Sequence, residues 1–216
     1  MPEHWMEYQI DVLKQAIGNA PIVSISKKPM NLGTNIVEEE HGQRHYWKIY
    51  QAMYEAAKIA TTPFVAQVED DALYPKEHFK EFRPPLDTVS YNRARWSLFS
   101  WHEIYCLRQR ISNCTLIAPR LLLIEALEER FAKWPQGAPH EITGEIGRSI
   151  VERKLGVKRR KMVEWYSTTP VVHLNHPTGI DDCQRRKHKA HGQIKAIDIP
   201  YWGPCKEILR RYHGNN

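Results

Sequence analysis

The sequence predicts a single α/β domain in which helices flank a mostly parallel sheet. Two short apolar runs, 21–26 and 64–68, have the length and composition of strands, and the second is apolar enough to be buried on both faces. A helical stripe occupies 44–60 between them, with Ile49, Met53, Ala56 and Ala60 on one side, and 61–63 ends it. A helix, a short break and a buried strand in this order form half of a βαβ unit, whose strands are parallel.

The other elements follow from periodicity and from helix-breaking residues. The chain opens with a helix that Gly18 and Asn19 end, and we expect the apolar side chains of its stripe, Met6, Ile10, Leu13 and Ile17, to be core. The remaining predicted elements are short strands or a hairpin over 88–99, a buried strand over 113–118, a helix opened by Pro119, a helix reaching about Leu155, a strand from 171, and a C-terminal helix opened by Pro204.

Three consecutive acids follow the apolar run at 64–68: Glu69, Asp70 and Asp71. Unpaired carboxylates are too costly to bury inside a sheet, so we expect them at the carboxyl end of the strand, where open α/β sheets bind ligands. Adjacent carboxylates repel one another, and a hard divalent cation such as Mg²⁺ or Mn²⁺ relieves that repulsion. The pattern therefore predicts a metal site, with a solvated acidic turn as the alternative.

Composition excludes several classes of protein. A chain of 216 residues with 42% hydrophobic residues can bury a sizeable core. No apolar run approaches the roughly 20 residues that a membrane span needs, and the N-terminus has no signal-peptide pattern. With no secretory signal, the four cysteines predict reduced thiols and a cytoplasmic location.

The net charge of +6 is unevenly distributed, with basic runs at 148–161 and 185–189. These runs predict contact with a polyanion or with the diphosphate of a substrate, and solvated surface charge is the alternative. Cys183, His188, His191 and Cys205 could hold zinc, but their spacing does not match a zinc knuckle.

These motifs together resemble the GT-A-fold, metal-dependent glycosyltransferases, and more narrowly the small phage and bacterial members, some of which modify bases in phage DNA. The resemblance is carried by 21–35 and 62–79, where Glu69-Asp70-Asp71 stands in place of an Asp-x-Asp motif and Leu73-Tyr74-Pro75 and His78-Phe79 follow. It implies a Rossmann-like GT-A domain over 1–216, with a nucleotide-sugar half at about 18–80 and an acceptor half at about 81–216. A phage-encoded enzyme of this kind would act in the cytoplasm of the host.

The resemblance also implies a donor site and a metal site. The nucleoside-diphosphate sugar would contact the first strand, the loop after it and the acidic motif, through Ser24, Ser26, Lys27, Lys28, Gly33, Asn35, Gln67, Glu69 and Asp70. Mn²⁺ or Mg²⁺ would be held by Glu69, Asp71 and one histidine of the last strand. Strand alternation puts His173 and His176 on opposite faces, and His176, at the strand end, is the first choice.

The acceptor half contains two further groups of candidates. Glu141 and Glu145 resemble the acid that activates the acceptor, although they could instead complement a helix dipole. Basic and aromatic side chains that could stack on a sugar or a base interleave over 91–101, namely Tyr91, Arg93, Arg95, Trp96 and Trp101.

The acceptor stays open between a hydroxymethylated base such as 5-hydroxymethylcytosine in DNA and a saccharide of a surface polymer. The carboxylates could also serve a nuclease or phosphotransferase, which would want further acids on neighbouring strands. A hypothesis from another class is a non-catalytic nucleic-acid-binding module that uses the basic runs, but it gives no reason for three acids after a buried strand.

Overall fold

The computed structural model describes residues 1–38, 46–179 and 193–214. The described helices are α1 (Glu3–Ile17), α2 (Tyr46–Ile59), α3 (Lys76–Lys80), α4 (Arg120–Lys133), α5 (Ser149–Leu155) and α6 (Cys205–His213), with 3₁₀ turns at Asn113–Thr115 and His140–Ile142. The described strands are β1 (Val23–Ser26), β2 (Thr34–Val37), β3 (Phe64–Ala66), β4 (Ala72–Leu73), β5 (Thr88–Asn92), β6 (Arg95–Phe99), β7 (His102–Leu107), β8 (Leu116–Pro119), β9 (Lys161–Trp165), β10 (Val171–Asn175), β11 (Lys195–Ala196), β12 (Asp198–Ile199) and β13 (Gly203–Pro204). Within these ranges, no helix is both long enough and apolar enough to cross a bilayer.

The described strands form two larger sheets, and both are mixed. The first sheet has the order β3-β8-β5-β9, in which only β5 and β9 are parallel. The second has the order β11-β7-β6-β10-β4, in which only β6 and β10 are parallel. The predicted α/β class is confirmed, whereas the prediction of a mostly parallel sheet is wrong.

The error comes from the predicted βαβ unit. Strand β1 pairs in parallel with β2 in a separate two-stranded sheet, whereas β3 is an edge strand of the first sheet and runs antiparallel to β8. All three residues of β3 are only half-buried, so the strand is not enclosed on both faces as predicted. Of the two alternatives predicted over 88–99, the short strands are confirmed as β5 and β6, and they form no hairpin because they belong to different sheets.

Helices α2 and α4 pack against the first sheet and form its core. The buried side chains of α2 are Trp47, Tyr50, Met53 and Ala57, so only Met53 is shared with the predicted stripe. The helix is rotated about its axis so that Trp47 and Tyr50 face the core, because these two aromatic side chains bury more apolar surface than the aliphatic residues beside them. Leu123, Ala126 and Leu127 of α4 complete this layer.

The second sheet is covered by α1 and α6 on one face. Val172 and Leu174 of β10 and Leu98 of β6 point into this core, together with Trp5 of α1 and Leu209 of α6. Strand alternation then places the residues between them on the opposite face. The paired residues Ala72, His173 and Ser97 lie there side by side on β4, β10 and β6.

Helix α1 has the predicted end but a different buried face. Gly18 follows its last residue, and the buried positions are Trp5, Gln9, Leu13 and Ala16. Met6 and Ile10, predicted to be core, are only half-buried. A polar side chain, Gln9, occupies the inner face because its amide has hydrogen-bond partners there, which a hydrophobic pattern does not reveal.

A buried polar cluster joins the end of β5 to α3. The Asn92 amide nitrogen donates to Ser167 Oγ at 2.7 Å and lies 3.1 Å from Nδ1 of His78. The amide oxygen of Asn92 accepts from the backbone nitrogens of Ala94 and Ser167. Burial, with a smaller contribution from Arg83, lowers the pKa of His78 from 6.5 to about 3.

We expect His78 to reduce stability as the pH falls from 6.5 towards 3. In this window the imidazole stays neutral in the folded protein but protonates in the unfolded chain, so the unfolded state binds more protons. The free energy of unfolding should therefore fall by up to about 1.4 kcal/mol per pH unit from this residue. In urea titrations across the window, the variant His78→Phe should show a shallower pH dependence, and equal slopes would contradict the prediction.

Candidate metal centre

The three acids form a turn between β3 and β4 that distant parts of the chain hold in place. The backbone nitrogen of Ala72 donates to the carbonyl of Glu69 at 3.2 Å and closes the turn. The backbone nitrogen of Leu174 donates to the carbonyl of Asp71 at 2.7 Å, which ties the turn to β10. Strand β10 therefore brings its histidines alongside the acids.

Helix α1 and Tyr74 supply further hydrogen bonds to this turn. The indole nitrogen of Trp5 donates to the carbonyl of Asp70 at 2.9 Å. The Gln9 amide donates to the carbonyls of Ala72 at 3.2 Å and Glu69 at 3.4 Å. The Tyr74 hydroxyl accepts from the backbone nitrogen of Glu69 at 3.0 Å and donates to the carbonyl of Cys114 at 2.9 Å.

Two carboxylates and two histidines converge beside the turn. Glu69, Asp71 and His173 each offer a ligand atom, and these atoms all lie within 4.8 Å of one another. His173 Nε2 lies 3.4 Å from Asp71 Oδ2 and 3.8 Å from Glu69 Oε2. His176 Nε2 lies 3.6 Å from the same Asp71 oxygen.

The prediction that His173 and His176 lie on opposite faces is therefore wrong. Strand β10 ends at Asn175, so the backbone at His176 has left the pleat and alternation no longer sets its direction. The other ring nitrogen of His176, Nδ1, lies 2.8 Å from Thr178 Oγ1, which orients the ring with Nε2 towards Asp71. Both histidines are thus available to one site.

The electrostatics of the cluster show a shortage of positive charge. Burial and the charge of Asp71 raise the pKa of Glu69 to about 7, against the opposing effects of His173 and Arg95. Burial alone would raise the pKa of Asp71, but His173 and His176 outweigh it and hold that pKa below its usual value. Burial lowers the pKa of His173 and the charge of Asp71 more than reverses this, so the net shift is upward. Burial disfavours the charged form of Glu69, and the charge of Asp71 favours the protonated form of His173, so a cation bound here would compete with protons at both groups.

These residues fit a divalent cation. Asp71 Oδ1 is buried and has no hydrogen-bond partner among the described residues, which is unusual for a carboxylate oxygen. Carboxylate oxygens suit Mg²⁺ and Mn²⁺, and imidazole nitrogens favour a transition metal. Glu69, Asp71 and His173, with His176 beside them, therefore match Mn²⁺ better than Mg²⁺.

The predicted donor residues on β1 and β2 hydrogen-bond with one another. The Asn35 amide donates to Ser24 Oγ and Ser26 Oγ, each at 2.9 Å, and its oxygen accepts from the backbone nitrogen of Met30. The two serine hydroxyls donate to the carbonyls of Leu32 and Lys28. These three side chains shape the loop between the strands, and Asn35 lies in β2 rather than in the loop after the first strand, where we expected it.

Lys27, Lys28 and Gln67 keep polar groups that a donor could use. The two lysines are exposed on the loop after β1. Gln67 lies just before the acidic turn, where its backbone nitrogen donates to the carbonyl of Leu116 at 2.9 Å. Among the described residues, its side-chain amide contacts only the carbonyl of Val68, at 3.4 Å. Gly33 has a φ of +63°, and a Cβ there would lie 2.2 Å from the carbonyl oxygen of Ile22.

The five predicted acceptor residues do not form one surface. Tyr91 is fully buried and its hydroxyl donates to the carbonyl of Ile146, so it cannot stack on an acceptor as predicted. Arg95 is also buried, with one guanidinium nitrogen 3.8 Å from Cys114 Sγ. Alternation along β6 sends Trp96 to the opposite face, where it packs against the second core.

Arg93 and Trp101 are only half-buried, but each has partners of its own. Arg93 bonds the carboxylate of Glu164 and the carbonyl of Gln109. Trp101 packs against Phe99 with ring centroids 5.6 Å apart. The interleaved pattern over 91–101 therefore reflects two strands with different surroundings rather than a shared binding platform.

Glu141 and Glu145 do not belong to the metal cluster of the described residues. Glu141 is exposed in a 3₁₀ turn, and Glu145 pairs with Arg148 at 3.3 Å. The loop is anchored by the buried guanidinium of Arg130, which donates to the carbonyl of Gly144 at 2.8 Å. Helix α5 begins only at Ser149, so neither acid lies in its first turn and the alternative based on the helix dipole fails. The role of Glu141 or Glu145 in activating an acceptor stays a prediction.

Sequence reasoning missed Trp5, Gln9, Tyr74 and Arg130, which position these loops. Cys183, His188, His191 and the basic run 185–189 lie outside the described residues, and Cys205 is buried in the second core.

No protein-family model, curated protein or solved structure matches the chain.

Proposed function

We propose that the protein is a metal-dependent glycosyltransferase that moves a sugar from a nucleoside-diphosphate sugar to an acceptor hydroxyl. The observation that carries the proposal is the convergence of Glu69, Asp71 and His173 at a turn after a strand, with His176 beside them. Mn²⁺ or Mg²⁺ bound there would act as a Lewis acid that offsets the charge developing on a leaving diphosphate.

The chain's own residues have separable roles in this proposal. Asp71, whose pKa the two histidines lower, would supply a charged ligand, and Glu69 and His173 would bind the cation in competition with protons. Trp5, Gln9 and Tyr74 hold the turn in position, so the ligands need little rearrangement. Lys27 and Lys28 are the exposed cations of the loop after β1, and they would bind donor phosphates through charge-assisted hydrogen bonds.

Metal and donor binding together should raise the melting temperature of the protein. A ligand that binds only the folded state at about 100 times its Kd adds about 2.7 kcal/mol, which is about 5 °C or more for a chain of this size. Common UDP- and GDP-sugars should be tested with Mn²⁺, with Mg²⁺ and with a chelator. A shift that needs both cation and sugar is expected, and the absence of a shift with every sugar and both cations would contradict the donor assignment.

We propose a hydroxymethylated base in DNA, such as 5-hydroxymethylcytosine, as the acceptor, and the cytoplasm as the place of reaction. Support comes from exposed cations between 148 and 161. An enzyme that acts on a base must flip it out or use a single strand. Transfer of labelled sugar to hydroxymethylated DNA but not to unmodified DNA is the expected result. Transfer only to an oligosaccharide would instead assign a surface polymer as the acceptor.

A further inference from the structure

A pocket of about 340 Å³ lies on the surface formed by α5 and the segment that follows it. Two cations, one hydroxyl and two apolar side chains line it, namely Arg153, Arg159, Ser149, Ile150 and Val157. None of these residues belongs to the metal cluster of the described structure. The pocket is therefore a separate feature that the proposed chemistry does not explain.

Most cations of the run 148–161 are already paired with acids. Arg160 is buried and lies 2.8 Å from Glu129 and 3.2 Å from Glu125. Three exposed cations also pair with a carboxylate: Lys158 with Glu125, Lys161 with Asp87 and Arg148 with Glu145. These four residues consequently explain part of the basic run as structural or surface ion pairs.

Three cations of the run are not neutralised in this way. The side chains of Arg153, Lys154 and Arg159 are exposed and make no hydrogen bond or ion pair with any residue that the structure describes. Arg153 and Arg159 both face the same pocket. Uncompensated positive charge is thus concentrated at a concave place rather than spread over the surface.

The lining matches a phosphate group that carries a sugar. A guanidinium binds two phosphate oxygens through a fork of parallel hydrogen bonds, and two such groups line the pocket. The Ser149 hydroxyl can donate to a third oxygen. Ile150, whose side chain is 44% exposed, and Val157 offer apolar contact to the sugar.

We propose that this pocket binds the phosphodiester backbone of a nucleic acid and anchors it through residues outside the candidate metal centre. The inference rests on the proposed function, because it names the surface that holds the DNA acceptor. A bilayer presents its phosphates on a broad plane, whereas a single backbone strand can enter a pocket of this size. The observations therefore favour a nucleic acid over a membrane surface.

The test is binding of a fluorescently labelled DNA duplex at several salt concentrations. The double variant Arg153→Gln/Arg159→Gln should weaken binding about tenfold at low salt and reduce the slope of log K against log salt by about 2, one unit for each lost phosphate contact. The control Lys206→Gln/Arg210→Gln removes the same charge from exposed positions on α6 and should leave the slope unchanged. Equal effects of the two double variants on DNA affinity and on the salt slope would overturn the proposal, because they would show that the pocket contributes no more than any other exposed positive charge.

Two further arms separate this proposal from its alternatives. Pocket-dependent binding to phosphatidylserine vesicles, without pocket-dependent DNA binding, would overturn it in favour of a membrane surface. Asp71→Asn should bind DNA as the wild type does, because Asp71 lies outside the pocket. If no sugar nucleotide shifts the melting temperature while the pocket variant still loses DNA affinity, the anchor stands and the glycosyltransferase proposal fails. If a sugar nucleotide does shift the melting temperature but the pocket variant keeps the DNA affinity of the wild type, the anchor is overturned and the glycosyltransferase proposal survives.

Discussion

Asp71→Asn should lower the affinity for Mn²⁺ on the order of 100-fold or more while leaving the fold intact. Asparagine has nearly the shape of aspartate but lacks the charge, and Asp71 is the one acid of the cluster that the two histidines hold ionised. The affinity would be measured by calorimetric titration of Mn²⁺ into the metal-free protein. Any sugar transfer should fall with it.

Asp70→Asn is the matched control for this experiment. It makes the same chemical change one residue away, at a carboxylate that does not belong to the ligand cluster of the described residues. Its affinity for Mn²⁺ should stay within a few-fold of wild type. Equal binding by Asp71→Asn and wild type would refute the metal assignment, and a loss of near-ultraviolet circular dichroism in Asp71→Asn would assign the residue a structural role instead.

Gly33→Ala should destabilise the protein by about 3 kcal/mol or more. The residue has a positive φ, and a Cβ would meet the carbonyl oxygen of Ile22 at 2.2 Å. That carbonyl accepts the hydrogen bond from the backbone nitrogen of Thr34 where β2 begins. The clash is with backbone, so it cannot be relieved by a side-chain rotation.

Gly203→Ala separates the clash from the backbone conformation. Gly203 has a similar φ of +71°, but a Cβ there would meet nothing within 4 Å. Its substitution should cost only about 1 kcal/mol, the usual penalty for a left-handed conformation. Urea unfolding of both variants measures the difference, and equal losses would show that the approach to Ile22 is not a constraint.

Local signals predicted the helices better than their inner faces. Gly18 and Pro119 mark helix boundaries within one residue, because these residues act on their own backbone. The buried faces of α1 and α2 depend on tertiary partners, and the partners of Gln9 lie more than 50 residues away along the chain. The spacing of hydrophobic residues along the chain does not predict those long-range contacts.

Sheet assignment failed for a related reason. A strand of three residues, such as β3, is compatible with several neighbours, and its real partner β8 follows about 50 residues later. The acids of the candidate site were predicted because they are three consecutive residues directly after an apolar run, which is visible in the sequence alone. The joint use of His173 and His176 was not, since it depends on where β10 ends.

The hydrogen bonds from Trp5 and Gln9 make the acidic turn depend on the N-terminal helix α1 for its position. A shortened chain that starts at β1 would retain the sequence of every strand of the two larger sheets, but it would lose Trp5 and Leu13 from the buried cores that α1 covers. It would also lose three hydrogen bonds to the carbonyls of Glu69, Asp70 and Ala72. Deletion of α1 would therefore remove packing from the second sheet and support from the acidic turn together, so soluble expression alone would not show which of the two had been lost.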